Sequence, residues 1–186
     1  MPPHAIHGTV LDNSWTVVAA DSTSCVLSTA FGSDWPYSGR VDHTIALTAT
    51  SLHHELTIHA DEATPVQIGW HPWFVKPRSS QLRFRAMHRR DASGIAEPFE
   101  SPIPHLEPGT IDDCFVDPQE VLTLHYDDVS LELMSTCRYW VVYDHPGHAT
   151  CVEPQSGPPD GLNHSPDVAR PHVPWGHSFT VTWTLR

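Results

Sequence analysis

Eighteen prolines spread through 186 residues constrain this chain more than any other feature. Proline has no backbone N–H and its ring collides with the preceding helical turn, so each interior proline ends or kinks a helix. That argues against a helical bundle, and ten glycines with little charge patterning at helical spacing argue the same way. Between the prolines the chain alternates. Trp15 to Val18, Cys25 to Thr29, Thr44 to Thr48, Leu52 to Ile58, Val121 to Tyr126, Val129 to Leu133, Tyr139 to Tyr143 and Phe179 to Leu185 all read as short strands. Leu82 to Ala86 sets apolar residues on one face and Arg83 and Arg85 on the other. The 44–58 region reads as a hairpin, and no segment reads as a helix. An all-β, antiparallel fold is expected, as one domain over residues 1–186.

Charge and cysteine usage exclude several classes. A formal net charge of −12 with only 10 Lys and Arg leaves no basic stripe to release counterions from a phosphate backbone, which argues against a nucleic-acid partner. No apolar run approaches a membrane span, and the first residues lack the basic and apolar regions of a signal peptide, so a cytoplasmic protein is expected. Cys25, Cys114, Cys137 and Cys151 form no Cys-x-x-Cys pair, which fits free thiols in a reducing compartment. The 15 histidines raise the question of a metal. Their spacing argues against a catalytic one: His53 and His54 are adjacent and would point to opposite sheet faces, and no His-Glu-x-x-His occurs.

Two stretches, 89–109 and 154–174, hold enough proline to read as long loops, which on β scaffolds often carry function. A linker at 89–109 is disfavoured because neither side alone would have many strands.

The run from Gln67 to Lys76 holds His71 between Trp70 and Trp73 on a stiff His-Pro step. Aromatic faces suit the C–H faces of a sugar ring, and histidine moves protons near neutral pH. Three further segments join it. Glu153 follows Cys151 and Val152 and precedes Pro154, which reads as a carboxylate at the end of an apolar strand facing a cleft. Asp112 and Asp113 lie beside Phe115, and His4 to Gly8 is followed by Trp15. Taken singly, these also fit core aromatics, solvated acids and a frayed terminus.

Their order resembles the aldose 1-epimerase (galactose mutarotase) family. The residues that carry the resemblance are His7-Gly8, Trp15, Trp35-Pro36-Tyr37, Gly69-Trp70-His71-Pro72-Trp73-Phe74, Asp112-Asp113-Cys114-Phe115, and Glu153-Pro154 through Asn163. The resemblance implies an antiparallel β-sandwich of the galactose mutarotase-like superfamily that binds a monosaccharide in a cleft. It implies that His71 is the general acid toward the ring oxygen and Glu153 the general base toward the anomeric hydroxyl. It further implies that Asp112 and His7 bind the substrate, and that no cofactor or metal is required. Trp35, Trp70, Trp73 and Trp175 are candidates for the stacking platform, with Trp70 favoured because it abuts His71.

Hemiacetal opening removes a proton from one oxygen and delivers one to another, so acid and base are expected on opposite sides of the anomeric centre. His71 would be held protonated by acidic surroundings, and Glu153 would stay ionised by avoiding deep desolvation. A bell-shaped pH profile follows.

Family members carry further strands ahead of the His-Gly motif, with an Asn-Arg step whose arginine binds sugar, whereas this chain starts almost at His7-Gly8. The expectation is that open sheet edges favour a homo-oligomer and that sugar binding is weaker by about 1.5–3 kcal/mol. Asp113 would add negative charge to the cleft and disfavour phosphorylated sugars, leaving a free hexose. A sugar-binding or regulatory module without useful turnover is the alternative.

Overall fold

The computed structural model describes residues 7–164 and 177–186. Along the chain run β1 (Thr16–Ala20), β2 (Ser24–Ala30), β3 (Gly39–Leu47), β4 (Ser51–Ala60), β5 (Trp73–Val75), β6 (Ser79–Gln81) and β7 (Phe84–His88). Then come β8 (Asp112–Pro118), β9 (Leu122–His125), β10 (Ser130–Ser135), β11 (Tyr139–Tyr143), β12 (Ala149–Gln155), α1 (Gly161–His164) and β13 (His177–Leu185). They form an eight-stranded sheet in the order β1-β2-β3-β4-β13-β10-β9-β6 and a five-stranded sheet in the order β5-β12-β11-β8-β7. The pairings are antiparallel, as the all-β, antiparallel reading requires.

The core lies between the sheets. Leu122, Leu124 and Leu133 from the larger sheet pack against Trp140 and Val152 from the smaller one. Alternation explains which residues reach it. In β4, His54, Leu56, Ile58 and Ala60 are buried, while His53, Glu55, Thr57 and His59 on the other face are only partly covered. Burying side chains of this size stabilises a fold by about 1.5–3 kcal/mol each.

The hairpin expected at 44–58 is β3–β4, extended at both ends. Its turn closes on Thr48, whose hydroxyl accepts the Ser51 N–H at 2.9 Å. The β1–β2 turn is an Asp turn, with Asp21 Oδ1 accepting the Thr23 and Ser24 N–H groups at 2.7 Å.

Four local readings change. The 82–86 run is not one strand: β6 joins the larger sheet and β7 the smaller, so Leu82 and Arg83 turn the corner between them. The Asp112 segment, which alone reads as a turn or a solvated edge, is β8, an inner strand between β7 and β11 carried by buried Cys114, Phe115 and Val116. Glu153 is not at a strand end, because β12 continues through Pro154 to Gln155. Pro154 is tolerated because its nitrogen points to the β5 side, where its carbonyl takes the Trp70 N–H at 3.1 Å and the ladder with β5 has already stopped. Finally, α1 interrupts the loop expected over 154–174, whose residues 165–174 lie outside the described chain. The 89–109 stretch is a loop, held by bridges between Met87 and Ser101 and between Arg90 and Ala96. Among the described residues, no helix is long and apolar enough to cross a membrane.

Candidate active site

The outer face of the five-stranded sheet, turned away from Trp140 and Val152, gathers the expected residues. Antiparallel register sets them in cross-strand rows. Trp73, Cys151, Tyr143 and Asp112 form one row, and Glu153, Val141, Cys114 and His88 form the next. His71 lies two residues before Trp73, beyond the end of β5 and opposite Glu153.

Backbone clamps fix that placement. Gln67 Nε2 donates to the carbonyls of Gly157 and Pro158, each at 2.8 Å. Ile68 N–H donates to Ser156 Oγ at 2.9 Å, and Ser156 N–H returns a bond to the Ile68 carbonyl at 2.8 Å. The His71 segment is thus laced to the strand that carries Glu153, and His71 Nδ1 comes within 3.4 Å of Glu153 Oε1.

Around this pair stand two rings. Trp73 lies parallel to His71, with centroids 5.7 Å apart and planes 7° apart, and is 55% exposed. His7 meets His71 edge-on at 5.0 Å. The backbone at His7 and Gly8 is left-handed at both positions, with φ of 64° and 78°, a tight turn uncommon for a residue with a Cβ.

Electrostatics overturn both protonation expectations. Glu153 is only 6% exposed, and burial pushes its carboxyl up to about 7, partly offset by the positive charge of Arg90. Burial, then the neighbouring His7, hold His71 below the ordinary histidine value of 6.5. The uncharged forms of both groups are favoured by desolvation, while the ion pair is favoured by the 3.4 Å contact. The two stand close enough for a proton to pass between them.

Asp112 pairs with Arg90 through Oδ1, and Arg90 Nε donates to the Gly94 carbonyl at 3.1 Å. Gly94 has φ of 79°, a left-handed backbone that strains a residue with a Cβ, so glycine favours the fold of this loop over Arg90. Asp113, expected to charge the cleft, alternates to the opposite face of β8, so its charge does not enter this surface.

Trp70 is the other correction. It is 9% exposed and belongs to the core cluster of Phe31, Val41, Leu56 and Ile58, so its ring does not offer a stacking face. The exposed ring face beside His71 is that of Trp73. Trp35 packs against the same core, and Trp175 and His4 lie outside the described residues.

Arg90, Tyr143 and Cys151 are the members that sequence reading missed. Strand alternation could have found Cys151, since residues 151 and 153 of one strand share a face. Arg90 sits in the proline-rich loop and carries no comparable local signal. His71, Cys151 and Glu153 bring one nitrogen, one sulfur and one oxygen donor within 4.8 Å of one another, a grouping that sequence spacing had concealed.

A buried carboxyl, an adjacent imidazole, an exposed indole and a carboxylate paired with arginine thus share one face of an antiparallel β-sandwich, a set of groups suited to proton transfer. The aldose 1-epimerase family model matches residues 2–181, and the chain belongs to that family. No curated protein matches it. Among solved structures it is similar in fold to the GalM/aldose epimerase homologue of Caenorhabditis elegans, with TM-score 0.75 and 14% identity over 92% of this chain and 68% of that one. A protein of Escherichia coli K12 assigned as an aldose 1-epimerase gives 0.74 and 18% over 92% and 68%. A galactose mutarotase-like protein of Lactobacillus casei gives 0.70 and 14% over 92% and 73%.

Proposed function

We propose that the chain interconverts the α and β anomers of a free hexose, with His71 and Glu153 as its acid–base pair. The observation that carries this reading is the 3.4 Å approach of His71 to a buried Glu153 whose proton affinity lies near neutrality. General acid–base catalysis is most effective when the group's pKa lies near the working pH.

The two oxygens that exchange protons during ring opening are bonded to the same carbon. Acid and base need not straddle the sugar; they can stand side by side, as His71 and Glu153 do. With the pair's single proton on His71, Glu153 takes the proton of the anomeric hydroxyl while His71 protonates the ring oxygen, and the ring opens to the aldehyde. After rotation about the bond to the next carbon, the same groups exchange roles and the ring recloses on either face. Trp73 offers a flat apolar wall to the sugar's C–H face, His7 a hydrogen-bonding ring beside His71, and Asp112, oriented by Arg90, an acceptor for a hydroxyl.

The working form of the pair holds one proton. A second proton disables it below the ordinary histidine range, and loss of the proton disables it near the Glu153 value of about 7. A narrow bell is the expected profile of kcat.

Polarimetry of freshly dissolved α-D-glucose and α-D-galactose tests the proposal. The wild-type chain should accelerate relaxation, and His71→Asn and Glu153→Gln should each slow it by about 10²–10⁴-fold. No acceleration, with galactose still bound in an equilibrium titration, would make the chain a sugar-binding module.

A further inference from the structure

The donor set at the centre of this site matches a second kind of ligand. We propose that His71 Nδ1, Cys151 Sγ and a carboxylate oxygen of Glu153 form a binding site for a borderline divalent cation, Zn²⁺ by its donor chemistry, which silences the acid–base pair when occupied. The silencing rests on the function proposed above; the binding does not.

The three donor atoms lie within 4.8 Å of one another. Bonds of about 2.0–2.3 Å at a tetrahedral zinc set nitrogen, oxygen and sulfur donors about 3.3–3.6 Å apart. The His71–Glu153 separation of 3.4 Å already has that value, and it is too long for a charge-assisted hydrogen bond. Cys151 and Glu153 share one face of β12 by alternation, and the bonds that lace residues 67–70 to residues 154–158 hold His71 against them. The site therefore pays little of the ordering cost that metal ligands drawn from flexible loops incur.

Charge and access agree. A thiolate, a carboxylate and a neutral imidazole sum to two negative charges, which a divalent ion cancels in a region where Cys151 is 0% and Glu153 6% exposed. Binding displaces two protons, that of the Cys151 thiol and the one held by the His71–Glu153 pair, and both pass to solvent. His71 is partly exposed, leaving the fourth position of the ion open to the cleft, the pattern of three protein ligands and one exchangeable site. Once there, the metal occupies the nitrogen lone pair and the carboxylate oxygen that would otherwise carry the proton.

The first experiment is a Co²⁺ titration of the full chain, followed by displacement with Zn²⁺. A thiolate-to-cobalt charge-transfer band with the intense visible bands of four-coordinate cobalt is expected in the wild type. It should be absent in Cys151→Ser and weakened in His71→Asn, whose partly exposed side chain makes it the safer variant for folding. Cys25→Ser should keep the band. In the mutarotation assay, each variant is compared with its own rate in chelator. Wild type should be inhibited by Zn²⁺ and restored by chelator, while Cys151→Ser should need at least about tenfold more Zn²⁺. A wild type without the band, a band that survives in Cys151→Ser, or equal zinc sensitivity of the two overturns the proposal. A band without any mutarotation would overturn the function alone; mutarotation without a band would overturn the metal site alone.

Discussion

Glu153 works against the fold that holds it. Its carboxyl is raised from an ordinary 4.5 to about 7, so the folded state prefers the protonated form. The group's contribution to stability is complete below pH 4.5 and is lost as pH rises through about 7, a span on the order of 3 kcal/mol. Glu153→Gln should therefore raise the thermal midpoint at pH 8 and leave it nearly unchanged at pH 4, read by calorimetry. Arg90 acts in the other direction, holding the Glu153 proton affinity down from across the cleft. Arg90→Met should move the basic limb of the kcat profile to higher pH; an unmoved limb would show that Arg90 serves only Asp112. Trp73→Ala should raise KM more than it lowers kcat, because a stacking wall binds ground and transition states alike.

At the scale of elements, the site depends on how strands terminate. The corner at Leu82 and Arg83 passes the chain from one sheet to the other, and β12 persists through Pro154 because its missing N–H falls beyond the β5 ladder, beside the single bond its carbonyl accepts from Trp70. Gly39 opens β3 under similar pressure. Its φ is 156°, and a Cβ there would lie 2.4 Å from the His59 carbonyl oxygen and 2.5 Å from the Phe31 ring. Backbone on one side and a buried ring on the other leave nothing to yield, so Gly39→Ala should cost about 2–3 kcal/mol, measured by denaturant unfolding. The edge strand β1 exposes Val17 and Val18, but its pairing with β2 shifts register between Val17 and Ala19, a bulge of the kind that blunts an edge against pairing with a second copy.

Across the whole molecule, a histidine pair in the larger sheet sets the acid side of stability. His43 Nε2 and His54 Nδ1 lie 2.9 Å apart on the core-facing side of β3 and β4, with Trp183 against His54 at 4.7 Å. Burial pushes His54 down to about 4 and lowers His43 as well. A depressed histidine contributes stability that is complete above its unfolded value of 6.5 and is lost as pH falls toward 4, on the order of 3 kcal/mol for His54. Opposed by Glu153, this places the stability maximum on the acid side of neutrality. Relative to wild type, His54→Leu should gain stability as pH falls from 6.5 to 4, followed by chemical denaturation at each pH.

Fold class was legible because alternation and proline placement are local quantities: β2, β3, β4, β9, β10 and β11 fall on the alternating runs that announce them. The members of the site were legible as ordered motifs, His71 and Glu153 among them. Their arrangement was not. Which face Trp70 takes, that Asp113 leaves the cleft, and that Cys151 stands beside His71 follow from cross-strand register, which joins residues about eighty positions apart. The proton affinities were hidden for the same reason. Burial is set by what packs around a group, so a sequence rich in acids suggested a protonated His71 and an ionised Glu153, whereas enclosure between strands moves both the other way.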